Sequence, residues 1–208
     1  LRSIREITDA LRKQAAKTSP GNWVLGFKYD DTKTSDGRMI SRMDLDAALP
    51  DHPVRISHRG GHTMYVNSAA MLLAGVSEQT ADPQGGMFDR DATTRRMNGR
   101  VKENACNVFE KVIPSSFTRD DRREGVKIIS RMMSKTGITS VHDAYGSPEF
   151  LQAYQDAFEN GDLLLRVYSL IGYTHIDKMI AAGVRTGMGN EWVRIGAMKA
   201  TCDGSISE

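Results

Sequence analysis

Apolar residues recur at three- and four-residue spacing at the start of the chain. Leu1, Ile4, Ile7, Leu11 and Ala15 share one helical face, so residues 1–17 are read as an amphipathic helix stopped by Ser19-Pro20-Gly21-Asn22. Short apolar runs then alternate with polar turns. Residues 23–27 and 53–57 are strand candidates, 43–49 a short helix and 30–37 a polar loop. Asn67 is the expected N-cap of the apolar segment Ser68 to Ala74, with Gly75 just past its end. Residues 77–100 are polar and glycine-bearing, read as loop and turn with room for a hairpin. Residues 102–112 read as helix up to Pro114.

After Ser115 the pattern becomes regular. Thr118-Arg119-Asp120-Asp121 has capping-box character and opens a helix whose apolar face is Val126, Ile129, Met132 and Met133. Ile138 to Val141 is a strand with His142 and Asp143 at its C-terminal end. Ser147 caps the next helix, with Pro148 in its first turn and Phe150, Leu151, Tyr154 and Phe158 as its buried stripe. Leu163 to Leu170 is a near-continuous apolar run, as expected of a strand buried on both faces. Thr174 caps a short helix through Ala182. A strand over Val193–Lys199 follows, and strict alternation puts Val193, Ile195, Ala197 and Lys199 on one face. This helix–strand alternation predicts an α/β class with a parallel sheet over 116–208, and the composition break near 115 leaves 1–115 as a separate α+β part.

Composition changes this picture mainly by exclusion. Twenty-eight basic against 26 acidic residues leave a net charge of +2, which argues for neither nucleic acid nor an anionic membrane surface. No apolar run approaches the roughly 20 residues of a membrane span. Cys106 and Cys202 make neither a disulfide framework nor a zinc pattern and are read as reduced thiols. The chain opens on Leu1 inside a helical pattern and stops just beyond Lys199, so it reads as a piece of something longer. The cytoplasm is the favoured compartment.

Three strand ends of the second half carry reactive side chains: His142 with Asp143, Tyr173 with His175, and Lys199 with Asp203. Parallel neighbours would bring them to one rim, where α/β folds place their chemistry. The plain reading of Lys199 is an ammonium snorkelling out of a strand end, that of His58 and His62 loop histidines, and that of Glu103 a solvated helix residue. No glycine fingerprint supports a dinucleotide site. The sharper reading of Lys199 is a desolvated amine that adds carbon dioxide, releasing a proton, to give a carbamate able to bridge two divalent cations. That needs histidines from other strands.

Seven stretches in order resemble the metal-dependent amidohydrolase superfamily, in the branch of YtcJ-like proteins and N-substituted formamide deformylases. They are Gly21–Gly26, Leu45-Asp46 followed by Pro53-Val54, Ser57–Ser68 with its Gly60-Gly61-His62, Asp82–Gly86, Asn98–Glu103, Gly137–Ala144 and Lys199–Ser205. The resemblance implies a distorted (β/α)₈ TIM barrel, of which 116–208 would be a partial fragment holding about strands two to four. Residues 1–115 would be an α+β insertion subdomain. It implies one or two divalent metals, usually zinc, in the intact enzyme, with Lys199 as the carbamate ligand. His58, His62, His142, Asp143 and Asp203 are then candidates for substrate binding, and the Gly-Gly-His segment matches the part of the insertion that approaches the substrate. The family's His-x-His pair and its remaining ligands have no match in the chain. The expectation is therefore hydrolysis of a small-molecule amide- or formamide-type C–N bond by the intact enzyme. The isolated piece is expected to be inactive, to hold no metal and to self-associate through exposed sheet edges. The rival reading is a non-catalytic α/β binding or assembly module.

Overall fold

The computed structural model describes residues 1–114 and 117–202. They form two compact units, residues 1–114 and 117–202. Asp203, a candidate for substrate binding, lies outside the described residues.

In the first unit, helix α1 (Ile4–Ala15) begins where the Ser3 side chain accepts from the Glu6 N–H, and it buries Ile4, Ile7 and Leu11 while Leu1 stays exposed. Strands β1 (Val24–Tyr29), β2 (Val54–His58), β3 (Thr63–Val66), β4 (Gly86–Arg90) and β5 (Met97–Glu103) make one sheet in the order β1-β2-β3-β5-β4. β1 pairs parallel with β2, and the other pairs are antiparallel. Successive side chains point to opposite faces, so the sheet separates two cores. Val54, Ile56 and Tyr65 pack with α1 and with α2 (Arg42–Ala48) on one side. Met64, Val66, Phe88 and Val101 pack with α3 (Ser68–Leu73) and α4 (Cys106–Glu110) on the other. The expected helix over 102–112 is shorter than read. Lys102 and Glu103 belong to β5, because Thr63 and Gly86 pair with them across the ladder. Sheet hydrogen bonds decided this, over a local helical pattern.

The first turn of α2 carries a charged cap. The Asp44 carboxylate accepts from the Ser41 N–H (2.9 Å) and hydroxyl (2.7 Å), and Arg38 grips both its oxygens at 2.7 Å. The Arg38 guanidinium, helped by Ser41, holds Asp44 down at about 2 against 3.8. The ionised form is favoured by folding, so this stabilisation is complete above about pH 4 and disappears as pH falls towards 2. Acid titration of unfolding should show about 2 kcal/mol of this loss, absent in Asp44→Asn.

The second unit is a three-stranded parallel sheet in the order β6-β7-β8, formed by Ser140–Gly146, Arg166–Gly172 and Val193–Lys199. α5 (Arg119–Lys135) and α6 (Pro148–Glu159) cover one face, and α7 (Ile176–Ala181) links β7 to β8. Two of the expected caps are present, Thr118 accepting from Asp121 N–H and Ser147 from Phe150 N–H. The cap expected at Thr174 is not: that residue lies inside a 3₁₀ turn over Tyr173–His175, and α7 starts after His175 with no side-chain cap. The expected stripes hold in part. α5 packs Val126 and Met133 inward as expected, adds Ser130, and leaves Ile129 and Met132 exposed. α6 packs Leu151 and Tyr154 as expected, buries Ala153 and Ala157 as well, and exposes Phe150 and Phe158. Small residues sit where helices approach closely, and the Ser130 hydroxyl accepts from Leu164 N–H at 2.6 Å. β7 is buried on one face only, through Val167, Ser169 and Ile171. No helix among the described residues is long and apolar enough to cross a membrane.

Candidate functional site

The C-terminal ends of the three parallel strands lie on one edge of the second unit's sheet. They carry Tyr145 and Gly146, then Gly172 and Tyr173, then Lys199. The face each side chain takes depends on register. Val141, Val167 and Val193 pair across the sheet and contribute to the core under the helices, so their neighbours His142, Tyr168 and Arg194 take the opposite face.

Strict alternation would put Lys199 on the Val193 face, and the structure corrects that expectation. Ser169 pairs with Ile195, but Ile171 pairs with Met198, so β8 spends three residues where β7 spends two. Such a bulge inverts the parity of every residue beyond it in the strand. Lys199 therefore pairs with Gly172 and lies on the side of Tyr168 and Arg194. It is half-buried there. Gly172 is needed beside it, because a Cβ at that position would stand 2.7 Å from Cε1 of the Tyr145 ring. The ring thus lies over Gly172, next to the strand end that bears Lys199.

His142 and Asp143 are adjacent in sequence but part company in the fold. His142 is exposed on the open face, with its ring 5.1 Å from that of Tyr168. With Ser140, Arg166, Glu191 and Arg194 they line a concavity of about 480 Å³ toward the N-terminal half of the strands, and Lys199 is not among its walls. Asp143 turns to the helix face, where its carboxylate accepts from the Tyr154 hydroxyl at 3.0 Å and the Ser169 hydroxyl at 3.3 Å. Burial, with Asp143 beside it, pushes the Tyr154 hydroxyl up.

In the first unit His58 is buried. Its Nδ1 accepts from Gly60 N–H at 3.3 Å, so Nε2 carries the proton and donates to Asp31 at 3.1 Å. His62 is more open, with its Nδ1 2.9 Å from the Glu103 carboxylate. Glu103 was expected on a helix; it ends β5 with φ 50, and its N–H donates to the His62 carbonyl at 2.8 Å. No periodicity could have paired these residues, which lie 41 positions apart. Burial pushes the Cys106 thiol up to about 12, which makes it a packing group, not a nucleophile. Among the described residues no three His, Cys, Asp or Glu side chains stand close enough together to hold a metal ion. Lys199 alone does not make a metal site, so the residues present do not by themselves fit one.

The profile of the amidohydrolase family matches residues 1–208. The chain is 25% identical over 182 residues to N-substituted formamide deformylase of Arthrobacter pascens, covering 86% of this chain and 33% of that protein. It is 26% identical over 211 residues to the putative amidohydrolase YtcJ of Bacillus subtilis, covering 99% of this chain and 39% of that protein. The chain thus spans only about a third to two-fifths of the length of these relatives. Its fold is similar to that of an uncharacterized metal-dependent hydrolase from Pyrococcus horikoshii, with a TM-score of 0.64 and 24% identity over 99% of this chain and 38% of that one. Matched from end to end, the chain belongs to the amidohydrolase family.

Proposed function

We propose that the chain is part of a metal-dependent hydrolase that cleaves the C–N bond of a small amide or formamide. The observation that carries this reading is the place of Lys199, half-buried at the C-terminal end of the third of three parallel strands in a chain of this family. In the reading, β6, β7 and β8 are about strands two to four of a (β/α)₈ barrel, whose reactive groups gather at that end of the strands. The first unit, Leu1–Pro114, is an insertion subdomain, with His62 as its substrate-facing residue. Lys199, as its carbamate, is one ligand of a divalent metal, zinc being the leading choice. The other ligands come from residues beyond this chain, so the chain alone is inactive. A metal held there would act as a Lewis acid toward the amide carbonyl. The kinship with a protein named for deformylating N-substituted formamides supports the choice of bond.

The test is a longer protein that extends the chain on both sides, assayed for metal and for hydrolysis of an N-substituted formamide. It should carry up to about two metal ions per chain, and Lys199→Ala should lose them together with at least about a hundredfold in activity. Full metal and full activity in Lys199→Ala would reject the assignment. Folding with neither metal nor hydrolysis would favour a non-catalytic α/β binding module.

A further inference from the structure

Glu103 occupies a backbone position that suits glycine. Its φ of 50 lies in the left-handed region, and it is one of three non-glycine residues there among those described. A residue that strains the backbone needs its side chain to justify it. Here the carboxylate reaches His62 Nδ1 at 2.9 Å while the Glu103 N–H holds the His62 carbonyl at 2.8 Å. Main chain and side chain thus tie the same two residues together, and Cys106 Sγ adds a weak contact to the His62 carbonyl at 3.7 Å.

A carboxylate only accepts, so Nδ1 must carry the proton. In the neutral ring Nε2 is then a bare acceptor, directed away from Glu103. Free imidazole side chains favour the other tautomer, so this pairing reverses an intrinsic preference. Both side chains keep about a third or more of their surface exposed, at 39% for His62 and 34% for Glu103.

We propose that Glu103 is a positioning residue that locks His62 in the Nδ1–H form and so presents Nε2 to a ligand bearing an N–H donor, such as the N–H of a secondary amide. The ligand half rests on the functional reading above, and the tautomer half does not. His62 acts on the ligand; Glu103 acts through His62.

The decisive variant is Glu103→Gly, because glycine accepts this φ without strain while removing the carboxylate. Long-range ¹H–¹⁵N NMR of the present chain should show His62 in the Nδ1–H form. That form should persist in Glu103→Gln, whose amide oxygen still accepts, and give way to Nε2–H in Glu103→Gly at an unchanged or higher melting temperature. An Nε2–H His62 in the native chain, or an Nδ1–H His62 in Glu103→Gly, overturns the proposal. In the longer protein, KM for an N-substituted formamide should rise about tenfold in Glu103→Gly, the worth of roughly one hydrogen bond, with kcat changed less. An unchanged KM despite the tautomer switch overturns the ligand half. A longer protein that hydrolyses no formamide sinks the functional reading and the ligand half with it, while the NMR result still decides the lock.

Discussion

Asn67→Ala is expected to lower the stability of the first unit by roughly 3–5 kcal/mol. Asn67 is fully buried, and all its hydrogen-bonding capacity is used. Its Oδ1 accepts from Val54 N–H at 2.9 Å and Ala70 N–H at 3.0 Å. Its Nδ2 donates to the Leu49 carbonyl at 3.0 Å and the His52 carbonyl at 2.8 Å. One side chain therefore caps α3, holds the start of β2 and closes the turn after α2. Alanine leaves two N–H groups and the Leu49 carbonyl without partners in buried surroundings, and the His52 carbonyl without one in a part-buried place. Each buried group costs about 1–3 kcal/mol, partly recovered by relaxation. Asn67→Asp keeps the acceptor but turns a second carboxylate oxygen on two carbonyls, so it should also destabilise, and more above its titration than below. Urea unfolding read together with hydrogen exchange at Val54 and Ala70 checks both variants. A loss below about 1 kcal/mol, with those amides still protected, contradicts the account.

Gly189→Ala should cost roughly 3–5 kcal/mol in the second unit, from backbone strain and overlap combined. Gly189 has φ +125, which side chains rarely adopt, and it bridges to Arg194 at the start of β8. A Cβ there would overlap the Val193 carbonyl oxygen and stand 3.0 Å from Arg194 Cα. These are backbone atoms of the strand that bears Lys199, so no side-chain rotation relieves the contact. Gly161→Ala is the control. Its φ of +70 is also left-handed, but nothing lies within 4 Å of the added carbon. That variant should lose only about 1–2 kcal/mol. Thermal unfolding of the two side by side reads the combined cost of the harsher backbone angle and the overlap at Gly189, and equal losses would refute both. If Lys199 is a metal ligand as proposed, Gly189→Ala in the longer protein should also reduce metal content, since β8 bears Lys199.

What the sequence determined by itself was local. The caps at Thr118, Ser147 and Asn67 were readable because each is closed by an N–H only three residues on. The order of helices and strands after residue 118 was readable because apolar spacing has different periods in the two structures. The family was readable because its short motifs occur in sequence order, which needs no knowledge of contacts.

Only the tertiary structure decided which face each element turns inward. On α5 and α6 the most deeply buried residues are small, Ser130, Ala153 and Ala157, packed beside Val126, Met133, Leu151 and Tyr154, since close approach of backbones limits what fits there. Whether a polar pair ends a strand or begins a helix cannot be read locally, and at Lys102 and Glu103 the ladder with β3 and β4 settled it. The side on which Lys199 lies depends on one extra residue in β8, a bulge that exists only through pairing with β7. His62 met Glu103, and Asp143 left His142 for Tyr154, through contacts that chain neighbours do not encode. Local spacing sets which hydrogen bonds a segment can make with itself; register between distant segments sets where its chemistry points.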